Sequence, residues 1–166
     1  NPTRPPRQLI VTDSVFSMDG DVADLPRLCE IAERFEAVLI VDEAHATGLL
    51  GETGAGLCQR QGVSDRVDVV ISTASKGLGG LGGIVTAAEP VIETLHNRAR
   101  SMIYTTGAPP AQAAQIEAAL DVVRDEPWRR ERVADLSRRL RAALSEQGWR
   151  LAGGEVPEAA HGGQAC

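Results

Sequence analysis

Short apolar runs alternate with stretches of helical periodicity through the first half of this chain, and that alternation is its strongest structural signal. Residues 8–12 (QLIVT) form a compact β-branched run that predicts a buried strand. After the polar loop 16–21, Leu25, Leu28, Ile31, Ala32 and Phe35 recur at helical spacing and give a helix ending near Glu36 one apolar face. Asp24 stands where an N-cap belongs, and Pro26 falls in the first turn. Residues 37–41 are apolar without interruption and stop at Asp42, which reads as a strand buried on both faces. A loop rich in Gly and Thr over 43–56 follows, then a third strand over 67–73, the Gly-rich turn 75–83 and a candidate fourth strand over 84–88. Helical segments at 90–100, 110–124 and 128–147 complete the pattern, with Gly148 in the position of a helix stop.

Strand, helix, strand, loop, strand with near-continuous apolar strands predicts an α/β domain: a mainly parallel sheet with flanking helices. The segment 153–166 is rich in Gly and Ala, lacks periodicity and is expected to be disordered. The chain opens NPTRPP, without Met or a signal-peptide core, and is expected to be a central fragment of something longer.

Composition narrows the function classes. With 166 residues, 43% hydrophobic and 24% charged, the chain suffices for one domain with its own core. A net charge of −6 argues against a nucleic-acid partner. The arginines of 124–150 read instead as a solvated, ion-paired helix face. The longest uncharged run, 101–116, is too short to span a bilayer and contains Pro109 and Pro110, so no membrane segment is expected. Cys29, Cys58 and Cys166 are scattered and form no C-x-x-C pair, which points to a reducing, cytoplasmic setting. Cys29 reads as a small buried hydrophobe, His96 as a surface residue, and His161 falls in the tail; no metal constellation emerges. Trp128 and Trp149 bracket the Arg-rich helix and read as its anchors.

One count changes the picture. Of 17 basic residues, 16 are arginine and one, Lys76, is lysine. Lysine can lose its proton and form a Schiff base, whereas guanidinium cannot. Either chemistry holds Lys76 in place, or an arginine-biased composition left one lysine by chance.

In open α/β sheets, ligands bind at the carboxyl ends of the strands. The first strand leads to Asp13 and Ser17, the second to Asp42 and His45, and the third to Thr73, Ser75 and Lys76. A parallel sheet would gather these at one edge. An aspartate directly after a buried strand needs a cationic or protonated partner, either a divalent metal or a ring nitrogen. VLIVDEAH also matches the acidic box of DEAH-type helicases, but that reading requires an upstream G-x-x-x-x-G-K-[ST] loop that this sequence does not contain. A carbonyl cofactor with a pyridine nitrogen would explain both the lysine and the aspartate. Pyridoxal 5′-phosphate (PLP) has these two requirements. His45 would then tune the ring oxygen, while Thr73 and Ser75 would bind phosphate or position the lysine.

Four motifs strengthen this reading: VTDSVFSMDGD (11–21), VDEAHATGLLGETGAG (41–56), STASKGLGG (72–80) and SMIYTTGAPP (101–110). Together, in this order, they resemble the α-oxoamine synthases, PLP enzymes of the aspartate-aminotransferase fold. The resemblance spans 9–148. It implies a decarboxylating condensation of an amino acid with an acyl thioester, both small-molecule partners. It implies that Lys76 is the cofactor lysine and Cα base, that Asp42 pairs with the pyridinium nitrogen, and that His45 and Ser17 lie near the ring oxygen. Thr73 would lie near the cofactor, and Thr105 would reach the cofactor phosphate of the partner subunit in a homodimer. On this basis 1–123 are expected to be part of the PLP-binding large domain, 124–150 a helix leading toward a small C-terminal domain, and 151–166 a tail. The family's N-terminal phosphate-binding turn and its small domain have no counterpart in this sequence, so the piece alone is expected to be inactive.

Overall fold

The computed structural model describes residues 7–151. Among these residues four strands form one sheet: β1 (Leu9–Asp13), β2 (Val38–Asp42), β3 (Val69–Thr73) and β4 (Gly83–Ala87). They lie in the order β1-β2-β3-β4. The first three run parallel and β4 returns antiparallel to β3. The parallel register places Asp13 beside Asp42, and Asp42 beside Ile71, so three carboxyl ends share one edge. Segment 152–166, with His161, Cys166 and the expected tail, lies outside the described residues.

Helix α1 (Leu25–Phe35) carries the chain from β1 to β2. Asp24 caps it by accepting the Arg27 N–H at 3.1 Å, and Glu36 closes it in the left-handed region at φ 51°. Leu25, Cys29 and Ala32 are buried against one sheet face, on which Leu39 and Val41 of β2 are fully buried. Phe35 departs from the expected apolar stripe: it is 52% exposed, with the Arg34 guanidinium 5.3 Å from its ring centre.

Strand β2 corrects the reading of a strand buried on both faces. Its burial alternates, with Val38 and Ile40 only half-buried on the side that also carries Leu9 and Val11, which are 60% and 67% exposed. An uninterrupted apolar run does not reveal which face is covered, because side chains alternate whatever their polarity.

The loop after β2 folds onto Glu43, a fully buried carboxylate. Its two oxygens accept the N–H groups of Leu57 at 3.0 Å and Cys58 at 2.6 Å, at the start of the short helix α2 (Leu57–Arg60). Gly56 (φ +117°) has to be glycine here, since a Cβ would stand 2.7 Å from the Glu43 carboxyl carbon. A 3-10 turn, Ser64–Arg66, then leads to β3, and its Arg66 pairs with Glu33 of α1 at 2.7 Å.

Beyond β4 the chain is helical: α3 (Glu89–Arg98), α4 (Arg100–Ile103), α5 (Pro110–Asp125) and α6 (Trp128–Glu146). The single helix expected over 90–100 is broken at Ala99, whose ψ of 101° is extended. The helix expected over 124–150 is bounded more tightly, because Arg124 belongs to α5 and α6 stops at Glu146. Gln112 and Gln115 of α5 donate to the carbonyls of Leu81 and Gly79, docking this helix on the Gly-rich turn. The arginines around α6 are ion-paired on the surface, with Arg129 on Glu126 at 2.9 Å and Arg124 on Asp121 at 2.9 Å. Trp128 does not anchor the helix: it is 55% exposed, with Arg129 stacked 4.9 Å from its ring, and Trp149 is exposed too. Among the described residues, no helix is long and apolar enough to cross a membrane.

Two measurements check this packing. Replacing Glu43 with Ala leaves two backbone donors in the interior without an acceptor. Urea unfolding is expected to show a loss of about 3 kcal/mol, with Glu43→Gln losing less because one acceptor remains. Burial, reinforced by the Glu43 carboxylate against it, pushes the Cys58 thiol well up, and burial also raises Cys29. Both thiols therefore stay protonated where an unfolded thiol ionises, above about pH 8.5, and stability falls as pH rises through that range. Iodoacetamide at mildly alkaline pH is expected to leave Cys29 and Cys58 unmodified in the native protein and to modify both in denaturant, read by peptide mass mapping.

Candidate active site

Parallel pairing brings the polar strand ends together as the sequence requires. Asp42, the last residue of β2, is half-buried, and its Oδ1 accepts the Ala44 N–H at 2.8 Å. This side chain-to-backbone turn fixes the carboxylate at the strand end and starts the reversal that presents His45. From the neighbouring strand, three residues beyond Thr73, Lys76 reaches across. Its Nζ lies 2.8 Å from His45 Nε2. At that distance one nitrogen donates a hydrogen bond to the lone pair of the other.

The lysine turn is held at both ends. Thr73 Oγ1 lies 2.9 Å from Ser75 Oγ and donates to the Gly82 carbonyl at 3.2 Å, while the Ala74 N–H also reaches Gly82 O at 2.9 Å. Within the turn, the Gly79 N–H donates to the Lys76 carbonyl at 2.9 Å. A cavity of about 410 Å³ borders Lys76 and Gly77, walled by Leu49, Leu78 and Val122. A larger one, about 1180 Å³, lies away from the lysine, between the loop after β2 and α6.

Two of the six expected site residues lie on exposed turns. Ser17 is exposed on the turn closed by the Gly20 N–H on the Phe16 carbonyl. Thr105 is exposed on the turn after α4, its N–H directed at the Met102 carbonyl. Asp42, His45, Thr73 and Lys76 are gathered at one edge.

Glu43 separates this site from the helicase box it resembles. In that box both acids would face a nucleotide and its metal, whereas here the second acid is turned into the core and both its oxygens are taken by backbone N–H groups. Among the described residues, no group of three or more His, Cys, Asp or Glu is placed to hold a metal ion. Sequence reasoning also passed over Thr47. Its hydroxyl lies 3.0 Å from Ser72 Oγ and joins the loops that carry His45 and Lys76, a contact between positions 25 apart that no local pattern announces.

The aminotransferase class I and II family model matches residues 1–156. The 8-amino-7-oxononanoate synthase of Anaeromyxobacter sp. (strain K) is 47% identical over 150 residues, which is 90% of this chain and 38% of that protein. A serine palmitoyltransferase from S. paucimobilis, solved with PLP and myriocin bound, superposes with a TM-score of 0.86 at 32% identity, over 94% of this chain and 41% of that one. The 8-amino-7-oxononanoate synthase of Francisella tularensis gives a TM-score of 0.76 at 28% identity, over 87% of this chain and 42% of that one. The chain thus spans roughly two-fifths of the length of these relatives. A mixed sheet with three parallel strands, a lysine turn at its carboxyl edge and this family match lead to one conclusion: the chain belongs to the aminotransferase class I and II family.

Proposed function

We propose that the chain forms the lysine-bearing part of a PLP-dependent acyltransferase that joins an amino acid to an acyl thioester with loss of the amino acid's carboxyl group as CO2. The observation that carries this reading is the contact of the only lysine of this sequence with His45 at the sheet edge that also bears Asp42. The donor set fits the cofactor. It offers a primary amine for an aldehyde, a carboxylate for a ring N–H, an imidazole for a ring oxygen, and the hydroxyls of Thr73 and Ser75 beside the lysine. When bound, PLP supplies an electron sink for negative charge developing at the substrate Cα.

The chain's own residues supply the rest. Lys76 would hold the cofactor and carry the Cα proton on Nζ, with His45 as its immediate proton partner. Asp42 would keep the ring nitrogen protonated, an orientation supported by the Ala44 N–H on its Oδ1. Thr73 and Ser17 would contact the cofactor, and Thr105 would reach the phosphate held by a second subunit of a cytoplasmic homodimer. In this reading 1–123 belong to the large domain, and 124–150 lead toward a small one. The names of the relatives at 47% identity favour L-alanine and a pimeloyl thioester as substrates and 8-amino-7-oxononanoate, a biotin precursor, as product. A second reading, condensation of serine with a longer acyl thioester, is favoured by the superposition at TM-score 0.86. Glycine-using synthases with acetyl or succinyl thioesters share the same chemistry.

The full product of the gene encoding this sequence, mixed with PLP, is expected to give an absorption band at about 410–430 nm that borohydride reduction converts to a pyridoxyl group on Lys76. Lys76→Ala should lose both. A band and a borohydride-resistant attachment unchanged in Lys76→Ala would overturn the assignment. Asp42→Asn is expected to lower kcat about a hundredfold, roughly 3 kcal/mol of transition-state stabilisation. Turnover with L-alanine, glycine and L-serine against pimeloyl, acetyl, succinyl and palmitoyl thioesters separates the readings.

A further inference from the structure

His45 and Lys76 sit on different loops, and the ladder between β2 and β3 ends before either of them: its last pair is Asp42 with Ile71. Something beyond the sheet must hold the loops at a fixed separation. The Glu43 N–H on the Ile71 carbonyl at 2.7 Å continues the strand pairing by one step. The next contact belongs to Thr47. Its Oγ1 lies 2.9 Å from the Glu43 carbonyl and 3.0 Å from Ser72 Oγ, so one hydroxyl touches both strand ends. Thr47 has one proton for these two contacts, and the Ser72 hydroxyl can supply the other.

The same residue sets the backbone spacing. Gly77, directly after Lys76, lies so close to the Thr47 carbonyl oxygen that a Cβ on it would collide. Gly48 faces Gly77 from the other loop, where a Cβ would meet the Gly77 carbonyl carbon at 3.4 Å. The two loops are thus in main-chain contact at the residues flanking the functional pair.

We infer that Thr47 is a positioning residue: its hydroxyl contact with Ser72, backed by the main-chain contact at Gly48 and Gly77, sets the spacing at which Lys76 meets His45. Thr47 touches neither substrate nor cofactor in this role. The consequence for cofactor binding rests on the function proposed above, whereas the positioning itself does not.

The test uses the full gene product, stripped of PLP for the spectra and labelled with 15Nζ-lysine. The Lys76 signal is identified by its loss in Lys76→Arg, and its position without the imidazole is taken from His45→Ala. Thr47→Val and Ser72→Ala are each expected to move the Lys76 signal to that position and to weaken PLP binding about tenfold, the worth of one hydrogen bond in the site. Thr47→Ser, which keeps the hydroxyl, is expected to retain the wild-type signal and affinity. A wild-type Lys76 signal in either Thr47→Val or Ser72→Ala overturns the inference, as does its loss in Thr47→Ser. Should Thr47→Val fail to fold, Ser72→Ala decides alone. Absence of PLP binding in the wild-type protein would overturn the proposed function and leave the NMR comparison to decide the positioning.

Discussion

Parallel pairing of β1, β2 and β3 is the constraint on which the rest of this molecule depends. Strands running the same way must end at the same side of the sheet, so each crossover returns the chain to its start and each polar terminus is delivered to a common edge. Asp42 and Lys76 are far apart in sequence but only one strand apart in the sheet, and the Lys76 amine meets the imidazole that follows Asp42 by three residues. An antiparallel β2–β3 pair would have sent them to opposite ends.

Glu43 shows how the same stretch serves structure and chemistry at once. Adjacent acids in a strand–loop junction alternate in direction, so Asp42 faces the edge and Glu43 the interior. A buried carboxylate is costly unless its lone pairs are filled, and here two backbone N–H groups fill them while closing the start of α2. The loop bearing His45 is therefore pinned from beneath by a charge and from the side by the Lys76 turn. This division of labour also explains why a four-letter resemblance to a nucleotide-hydrolysing box misleads. The letters match, but one of the acids is structural.

Much of this was readable from residue order. β-Branched runs bounded by polar residues marked the strands to within one or two positions, and the Asp24 cap with Pro26 located the start of α1. The single lysine and the acid that ends β2 stood out because their chemistry is unusual for their positions, and the sheet brings the strand ends that carry them to one edge. What was hidden depends on contacts between distant segments. Which face of β2 is covered, the exposure of Phe35 and Trp128, and the Thr47–Ser72 bridge are set by neighbours that no local window contains. The break at Ala99 was hidden for a different reason, since alanine favours helix and only its surroundings extend it. Ser17 and Thr105 were marked by motif alone, and the single chain leaves them on exposed turns.

The reversal of β4 has a consequence for motion. Because β3 and β4 are joined by five register pairs, the lysine turn is the tip of a hairpin anchored on both sides. That ladder fixes where the turn leaves and re-enters the sheet, and the Thr47–Ser72 and Gly48–Gly77 contacts hold the main chain beside Lys76 against the loop that carries His45. Any swing of the amine between one bonding partner and the next must come from rotation about its four-carbon stem.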